Sequence, residues 1–265
     1  MIGIFDSGVG GLTVVKEIKK LLPDVPIVYF GDTARLPYGN KSARTIQRFS
    51  SEIVEFLRDK GCKTIVIACN SASALAADYL REKYPNLEIY DVVSSGAEAV
   101  VEATNPPSLK FRQGKAKKVG VIGTTATINS SVYKKKIEGL DSEIEVFTQA
   151  CPLFVYLVEE NWTKRPETRK IARTYLRNLK LKKVDTLLLG CTHYPLLEKT
   201  ISGVMGRRTE VIASGEKLAK VLKRELKNYK KGENRYYVSD LTEHFERLAE
   251  RILKEKIKIE RCTIS

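Results

Sequence analysis

Long hydrophobic runs are missing from this sequence of 265 residues. The longest, such as Thr64–Cys69, span about six residues, whereas a membrane-spanning helix needs roughly 20. The first residues carry no basic segment and reach an acid at Asp6, a pattern that argues against a secretory signal. We therefore expect a cytoplasmic protein, with no membrane partner, whose five cysteines are thiols rather than disulfides.

Motifs for metals and nucleotides are also missing. The sequence contains no Cys-x-x-Cys pair and no Walker lysine after a glycine-rich loop. Gly8–Gly11 resembles the start of a dinucleotide loop, but the position of the third required glycine holds Thr13. Zinc bound by Cys69, Cys191 and His193 would lack the usual ligand spacing and a fourth ligand. We expect no metal site.

The charge is strongly positive, with 46 Lys and Arg against 32 Asp and Glu, a net +14 at pH 7. Such a charge permits nucleic acid as a partner. The basic residues are nevertheless spread along the chain among glutamates, without a recognition-helix, zinc-finger or aromatic-basic pattern. We interpret them as a solvated surface and expect no specific nucleic-acid binding. The 29% of charged residues also resembles hyperthermophile composition.

Short apolar β-branched runs alternate with amphipathic stretches along the chain. Continuous apolar strands separated by helix-length segments indicate an α/β protein with mainly parallel sheets. The predicted strands are Ile2–Phe5, Ile27–Gly31, Thr64–Ala68, Glu88–Val93, Val119–Gly123, Ile144–Phe147, Thr186–Gly190, Glu210–Ala213 and Tyr236–Val238. The clearest helices are predicted at Ala43–Lys60, Lys217–Tyr229 and Leu241–Lys256. A Pro-rich, then basic stretch over residues 104–118 is interpreted as a surface loop or a domain boundary.

Part of the chain repeats itself. Ile2–Gly8 is echoed by Val119–Thr125, and Ile65–Ser71 is echoed by Leu187–His193. We interpret the echoes as two similar domains, each a mainly parallel sheet flanked by helices, with the active site in the cleft between them. Chance similarity between βα units is the alternative. We assign residues 1–96 and 210–265 to the first domain and residues 97–209 to the second.

Each half carries a cysteine just past an apolar strand, Cys69 in the first and Cys191 in the second. Open α/β sheets bind ligands at the carboxyl ends of their strands, and helix N-termini there offer free N–H groups to anions. Two thiols that face each other across a cleft would flank one bound molecule. The candidate anion-binding side chains are Asn70, Ser71, Ser73, Thr124, Thr125, Thr127 and Thr192.

Two further residues could assist the thiols. His193 lies two residues after Cys191, where an imidazole could take the thiol proton. Asp6 directly follows an apolar strand and either serves the site or caps the following turn.

The remaining cysteines and histidine are less specific. Cys62 and Cys262 are interpreted as structural, because one lies in a turn and the other in the C-terminal tail. Cys151, before a proline, is ambiguous. His244 lies on an amphipathic stretch and is assigned to the surface.

Six stretches make the chain resemble the glutamate racemases of the cofactor-independent aspartate/glutamate racemase superfamily. They follow the order of that family's motifs and are Phe5–Thr13, Asp32–Gly39, Ala68–Ser73, Gly123–Thr127, Ala150–Val155 and Gly190–Leu196. Two departures stand out. Ser71 replaces a usual threonine and keeps its hydroxyl. Ala213 replaces a usual aspartate, which puts in doubt any contact made by that acid.

The resemblance implies interconversion of L- and D-glutamate without a cofactor. The D-glutamate would supply peptidoglycan synthesis, and hence cell-wall biogenesis and cell shape, and we expect a homodimer. The implied catalytic residues are Cys69, which would deprotonate D-glutamate, Cys191, which would deprotonate L-glutamate, Asp6 beside the first thiol, and His193 and Glu159 beside the second. The implied substrate-binding residues are Asp6, Ser7, Pro37, Tyr38, Gly39, Asn70, Ser71, Thr124, Thr127, Thr192 and His193.

Two thiols suit this chemistry, because racemisation removes the Cα proton from one face and returns a proton to the other. One thiolate must take the proton while the opposite thiol gives one. An aspartate or hydantoin racemase is an alternative with the same thiol pair and a different side-chain pocket. A basic α/β module that binds a partner, with idle thiols, is a third. Turnover assays on L-glutamate and L-aspartate would separate them.

Overall fold

The computed structural model describes residues 1–105, 117–226, 229 and 231–264. Their strands form two parallel sheets, in the orders β10-β9-β2-β1-β3-β4 and β6-β5-β7-β8. The strands are β1 (Ile2–Asp6), β2 (Ile27–Gly31), β3 (Thr64–Ile67), β4 (Glu88–Asp91), β5 (Lys117–Gly123), β6 (Ile144–Ala150), β7 (Thr186–Gly190), β8 (Glu210–Ala213), β9 (Arg235–Val238) and β10 (Ile259–Arg261).

Helices connect the strands. The α-helices are α1 (Leu12–Leu21), α2 (Ala43–Asp59), α3 (Asn70–Lys83), α4 (Val92–Thr104), α5 (Thr125–Asn129), α6 (Val132–Leu140), α7 (Leu153–Glu159), α8 (Pro166–Leu181), α9 (Glu198–Met205), α10 (Ser214–Glu225) and α11 (Glu243–Leu253). Short 3-10 helices span Thr33–Arg35, Tyr38–Asn40 and Tyr194–Leu197. In the described ranges, none of the helices combines the length and the apolar character that a membrane span requires.

The predicted α/β class and the predicted strands are confirmed. The prediction for β4 runs two residues too far, because the carboxylate of Asp91 accepts the N–H of Ser94 at 2.8 Å and caps α4. The edge strand β10 was not predicted, since three partly exposed residues carry too weak an apolar pattern. Residues 106–116 of the predicted loop lie outside the described residues.

The two sheets repeat one strand order. The order β2-β1-β3-β4 in the first sheet recurs as β6-β5-β7-β8 in the second. The central strands β1 and β5 begin the two halves that echo each other in sequence, and β3 and β7 lie beside them. The sheet topology therefore repeats with the sequence, and the two cysteines follow equivalent strands.

Each sheet is covered by helices on both faces. In β3, Ile65 and Ile67 face a core that includes Phe5 and Leu57, whereas Val66 faces a separate core on the opposite side. Side chains alternate between the faces of a strand, so a strand buried on both sides is apolar throughout. This burial explains the continuous apolar runs that identified the strands.

One part of the predicted domain division is wrong. Glu210–Ala213, assigned to the first domain, forms β8 and pairs with β7 of the second sheet. The chain crosses back one step later, because Leu218 and Leu222 of α10 pack in a core of the first sheet. Conversely, Ala97 and Val100 of α4 pack against the second sheet. Thus α4 follows a strand of the first sheet but packs on the second, and α10 follows the equivalent strand of the second sheet but packs on the first. The rest of the division stays our interpretation.

Candidate active site

Both cysteines that follow equivalent strands line one cavity between the sheets. Cys69 follows β3 and Cys191 follows β7, and both side chains are buried. The cavity is narrow, with a volume of about 20 Å³, which is room for about one water molecule, so the two sides must separate to admit a ligand as large as an amino acid. Its lining residues are Ser7, Leu36, Pro37, Tyr38, Gly39, Cys69, Asn70, Ser71, Thr124, Val155, Cys191, Thr192 and His193.

Most of the predicted site residues are in this lining, but five lie elsewhere. Asp6, Thr127 and Glu159 stand behind it, each hydrogen-bonded to a lining residue. Ser73 donates its hydroxyl to the carbonyl of Ile67 at 3.0 Å, and Thr125 is exposed. The lining also contains two apolar side chains, Leu36 and Val155, that the sequence did not single out, although both lie inside motifs of the resemblance.

The Cys191 thiol begins a row of three groups. Its Sγ lies 3.9 Å from Nδ1 of the buried His193, whose Nε2 lies 2.6 Å from Oε1 of Glu159. With an ionised carboxylate as acceptor, Nε2 carries a proton, and Nδ1 is left to exchange one with the thiol. Burial by itself lowers the pKa of His193, but the contacts with Cys191 and Glu159 outweigh it and raise that pKa well above its usual value. The imidazole is therefore a strong base next to a thiol.

The Cys69 thiol has a different environment. Its Sγ lies 3.7 Å from the hydroxyl oxygen of Ser7. Burial, and then the negative charge of Asp6, raise the pKa of Cys69 to about 12, while the backbone N–H of Ala72 in the first turn of α3 acts in the opposite direction. This thiol therefore holds its proton at neutral pH. The two cysteines are equivalent in the fold but differ in their neighbours, since His193 lies beside Cys191 whereas Ser7 lies beside Cys69.

Asp6 joins the two halves from behind the cavity. Its Oδ1 accepts the N–H of Gly8 at 2.9 Å, and its Oδ2 accepts the hydroxyl of Thr192 at 3.1 Å. Burial raises the pKa of Asp6, and the nearby His193 and these hydrogen bonds partly offset the rise. The two interpretations of Asp6 left open by the sequence are thus compatible, because one oxygen caps the turn after β1 and the other reaches the loop after β7.

A polar row crosses the cavity between the two sheets. The hydroxyls of Ser71 and Thr124 lie 2.9 Å apart, and those of Thr124 and Thr127 lie 3.0 Å apart. Asn70 accepts the hydroxyl of Tyr133 at its Oδ1, at 2.6 Å. Among the described residues, the Nδ2 of Asn70 is a buried donor without a partner, and such a donor is available to a ligand carboxylate.

Two supporting residues were not found from the sequence. Tyr133, at the start of α6, lies in none of the motifs, yet it orients the amide of Asn70. Asp32 lies in the motif Asp32–Gly39, but its role was not predicted. Its carboxylate accepts the hydroxyl of Tyr38, the Nε of Arg35 at 2.7 Å and the hydroxyl of Ser239 at 2.9 Å. Asp32 therefore holds the segment that brings Tyr38 into the lining.

The prediction for His244 is wrong. This residue is half-buried, and its Nε2 donates to the backbone carbonyl of Glu159. The amphipathic pattern of α11 identifies the face that packs in the core of the first sheet. It does not indicate that the end of α7 lies beside the first turn of α11.

The described part of the chain contains no group of three or more His, Cys, Asp or Glu side chains that could share a metal ion. Cys69, Cys191 and His193 line the same cavity, but only the last two are within hydrogen-bonding distance of each other.

Ala213 occupies the N-cap position of α10 and makes no side-chain cap there. Ala213→Asp should supply an acceptor to the first turn and raise the free energy of unfolding by about 1 kcal/mol. Since Ala213 is not in the lining of the cavity, turnover should stay within a few-fold, on the scale of about 1 kcal/mol. Urea unfolding and steady-state kinetics measure the two effects. A change in turnover of about two orders of magnitude, roughly 2.7 kcal/mol, would contradict this prediction.

Comparisons with known proteins identify the family of this chain. Residues 2–222 match the model of the family described as Asp/Glu/Hydantoin racemase. A glutamate racemase from Geobacter metallireducens is 44% identical, over 97% of this chain and 93% of the relative. The crystal structure of the glutamate racemase isoform RacE1 from Bacillus anthracis has a TM-score of 0.90 at 36% identity and covers 99% of this chain and 97% of its own. The structure of the Francisella tularensis enzyme in complex with D-glutamate has a TM-score of 0.88 at 36% identity and covers 100% and 97%. The chain belongs to the Asp/Glu/hydantoin racemase family.

Proposed function

We propose that this protein is a glutamate racemase that moves the Cα proton between two thiols without a cofactor. The observation that carries the proposal is one cavity lined by Cys69 and Cys191 from equivalent strands, with polar side chains around it. The relatives and solved structures named glutamate racemase support glutamate as the substrate. The family's aspartate and hydantoin racemases are the alternative, and a different side-chain pocket would distinguish them.

In the L-to-D direction, Cys191 acts as the base. His193, strengthened by Glu159, takes the Cys191 proton, and the thiolate then removes the Cα proton of L-glutamate. The electron pair of the broken C–H bond stays on Cα and spreads into the carboxylate. Cys69, which holds its proton at neutral pH, donates that proton to the opposite face. The product is D-glutamate, with Cys69 as the thiolate.

In the reverse direction Cys69 must first become a thiolate, and the buried carboxylate of Asp6, whose pKa is raised by burial, would take the thiol proton. The positive ammonium group of a bound amino acid would favour that state, because an opposite charge nearby lowers the pKa of an acid. Substrate binding is thus the event that makes Cys69 competent as a base.

The carbanion needs stabilisation by groups that are already in place. Side-chain donors around the cavity, from Asn70, Ser71, Thr124 and Thr192, can bind the carboxylate on which negative charge develops. Tyr133 and Asp6 orient two of them, Asn70 and Thr192. Exclusion of water from the buried cavity strengthens each contact.

Turnover assays with isotopic labelling test the proposal. Circular dichroism should follow the loss of optical activity of L-glutamate, and L-aspartate should react about 10- to 200-fold more slowly, the scale of one missing methylene. In D2O, the inverted product should carry deuterium at Cα while the remaining substrate stays mostly protiated at early times. Early labelling of both enantiomers together would contradict the two-base mechanism, and no turnover of either amino acid would contradict the function.

The cellular setting follows from this activity. A cytoplasmic enzyme of this kind would supply D-glutamate for peptidoglycan synthesis, and hence for cell-wall biogenesis and cell shape. We also propose a homodimer, which analytical ultracentrifugation would test. The dispersed basic charge of the sequence continues to favour a solvated surface over specific nucleic-acid binding.

A further inference from the structure

Two side chains of α11, a helix that packs on the first sheet, contact the end of α7, which packs on the second sheet. The helix is anchored by Phe245, Leu248 and Ile252 in a core of the first sheet. From its outer side, Nε2 of His244 donates to the carbonyl of Glu159, and Nη1 of Arg251 donates to Oδ1 of Asn161. Both acceptors lie where α7 ends and the chain turns.

The position of this contact matters because Glu159 also holds His193. Phe154 and Val158 anchor α7 in a core of the second sheet, but Glu159 is its last residue and its side chain is 20% exposed. Asn161 has a φ of +58°, so the backbone turns sharply just beyond it. Backbone hydrogen bonds from the N–H groups of Glu160, Asn161 and Trp162 close this turn, and the contacts from α11 tie it to the other sheet.

We propose that His244 and Arg251 are positioning residues that hold the end of α7, so that Glu159 orients His193 for the Cys191 half of the reaction. The proposal rests on the proposed function. Neither residue is in the lining of the cavity, so both act through Glu159. The Cys69 half does not involve this contact, because Cys69 and Ser7 belong to the first sheet's loops.

The kcat/KM of racemisation cannot reveal this asymmetry. The two enantiomers of glutamate have equal free energies, so kcat/KM must be the same in both directions in every variant. A glutamate analogue with a leaving group on Cβ separates the halves. One thiolate takes the Cα proton, the C–H electron pair forms the Cα–Cβ double bond, and the leaving group departs as an anion. The enamine product then tautomerises and hydrolyses to 2-oxoglutarate and ammonium, which an enzymatic assay measures.

The test compares elimination from the L and D analogues in the full-length protein. His244→Ala should lower kcat for the L analogue about tenfold, because a misplaced base loses rate steeply. Its KM, and kcat for the D analogue, should stay within about twofold. Arg251→Ala should act in the same direction by about threefold, since it contacts Asn161 rather than Glu159. His244→Gln keeps an N–H donor near the same place and should restore the L rate to within about threefold.

Arg247→Ala is the matched control, because Arg247 lies on the same helix and, among the described residues, its side chain pairs with Glu243 alone. Its rates should equal those of the unaltered protein for both analogues. Equal losses for both analogues in His244→Ala would mean a purely structural role, and unchanged rates would mean that other contacts hold Glu159. Either result overturns the proposal while leaving the racemase function intact. Failure of the unaltered protein to racemise glutamate would instead refute the proposed function.

Discussion

Cys69→Ala and Cys191→Ala should each lower the rate of glutamate racemisation by at least about 100-fold. The physical reason is that each turnover needs a base on one face of Cα and an acid on the other, and methyl groups do neither. Loss of one general acid or base typically costs about 10²–10⁴-fold in rate. Circular dichroism of L- and D-glutamate measures the loss from either side.

Each variant should nevertheless keep one half of the chemistry. With a Cβ leaving-group analogue, Cys69→Ala should still eliminate from the L enantiomer, because Cys191 with His193 remains in place. Cys191→Ala should eliminate from the D enantiomer only. Effects of residues that act as a unit are not additive, so the double variant should be no slower in racemisation than either single one.

Cys62→Ala is the control for these substitutions. Cys62 is also buried, with a pKa raised by burial to about 11, but it lies in a core of the first sheet outside the cavity. This variant should lose about 1 kcal/mol of stability and retain racemisation within about twofold. Racemisation at a near-native rate in either active-site variant would refute the two-base mechanism.

Gly10→Ala should lower kcat/KM about 100-fold or more while the protein stays folded. A Cβ at Gly10 would lie 2.4 Å from Oγ1 of Thr192 and 2.6 Å from Nδ1 of His193. Both neighbours are buried residues of the loop after β7, so relief of the overlap requires the two sheets to move apart or the imidazole to move away from Cys191. A displacement of about 1 Å can cost about 10²-fold in rate.

The comparison that isolates this effect is Gly139→Ala. Gly139 lies in α6, and a Cβ there would meet nothing within 4 Å. Because alanine favours a helix over glycine by about 1 kcal/mol, this variant should be at least as stable as the unaltered protein and fully active. Thermal unfolding of both variants, measured beside their kinetics, separates loss of the site from loss of the fold. Full activity in Gly10→Ala would contradict this prediction, because it would mean that the loops after β1 and β7 can move apart without loss of rate.

Local physics explains why much of this protein is predictable from its sequence. Strands buried on both faces must be apolar almost throughout, so runs such as Thr64–Ile67 can be recognised as strands from the sequence. Parallel strands place their carboxyl ends at one edge of a sheet, so residues that follow those strands, Cys69 and Cys191 among them, are natural ligand contacts. The motifs contain most of the residues that line the cavity, because the proposed reaction restricts which side chains can lie there.

Other features depend on how the two sheets dock, and no local pattern encodes them. The exchange of α4 and α10 follows from packing rather than from periodicity, which is the same whichever core a helix enters. Contacts between residues far apart in the chain, from Tyr133 to Asn70 across 63 positions, from His244 to Glu159 across 85 and from Thr192 to Asp6 across 186, join the two halves. The sequence by itself determined two βα halves, in each of which a cysteine follows a strand. The tertiary structure alone decided which groups lie behind those thiols, and so why the pKa of Cys69 is raised, because burial and the distance between charges exist only once the halves are packed together.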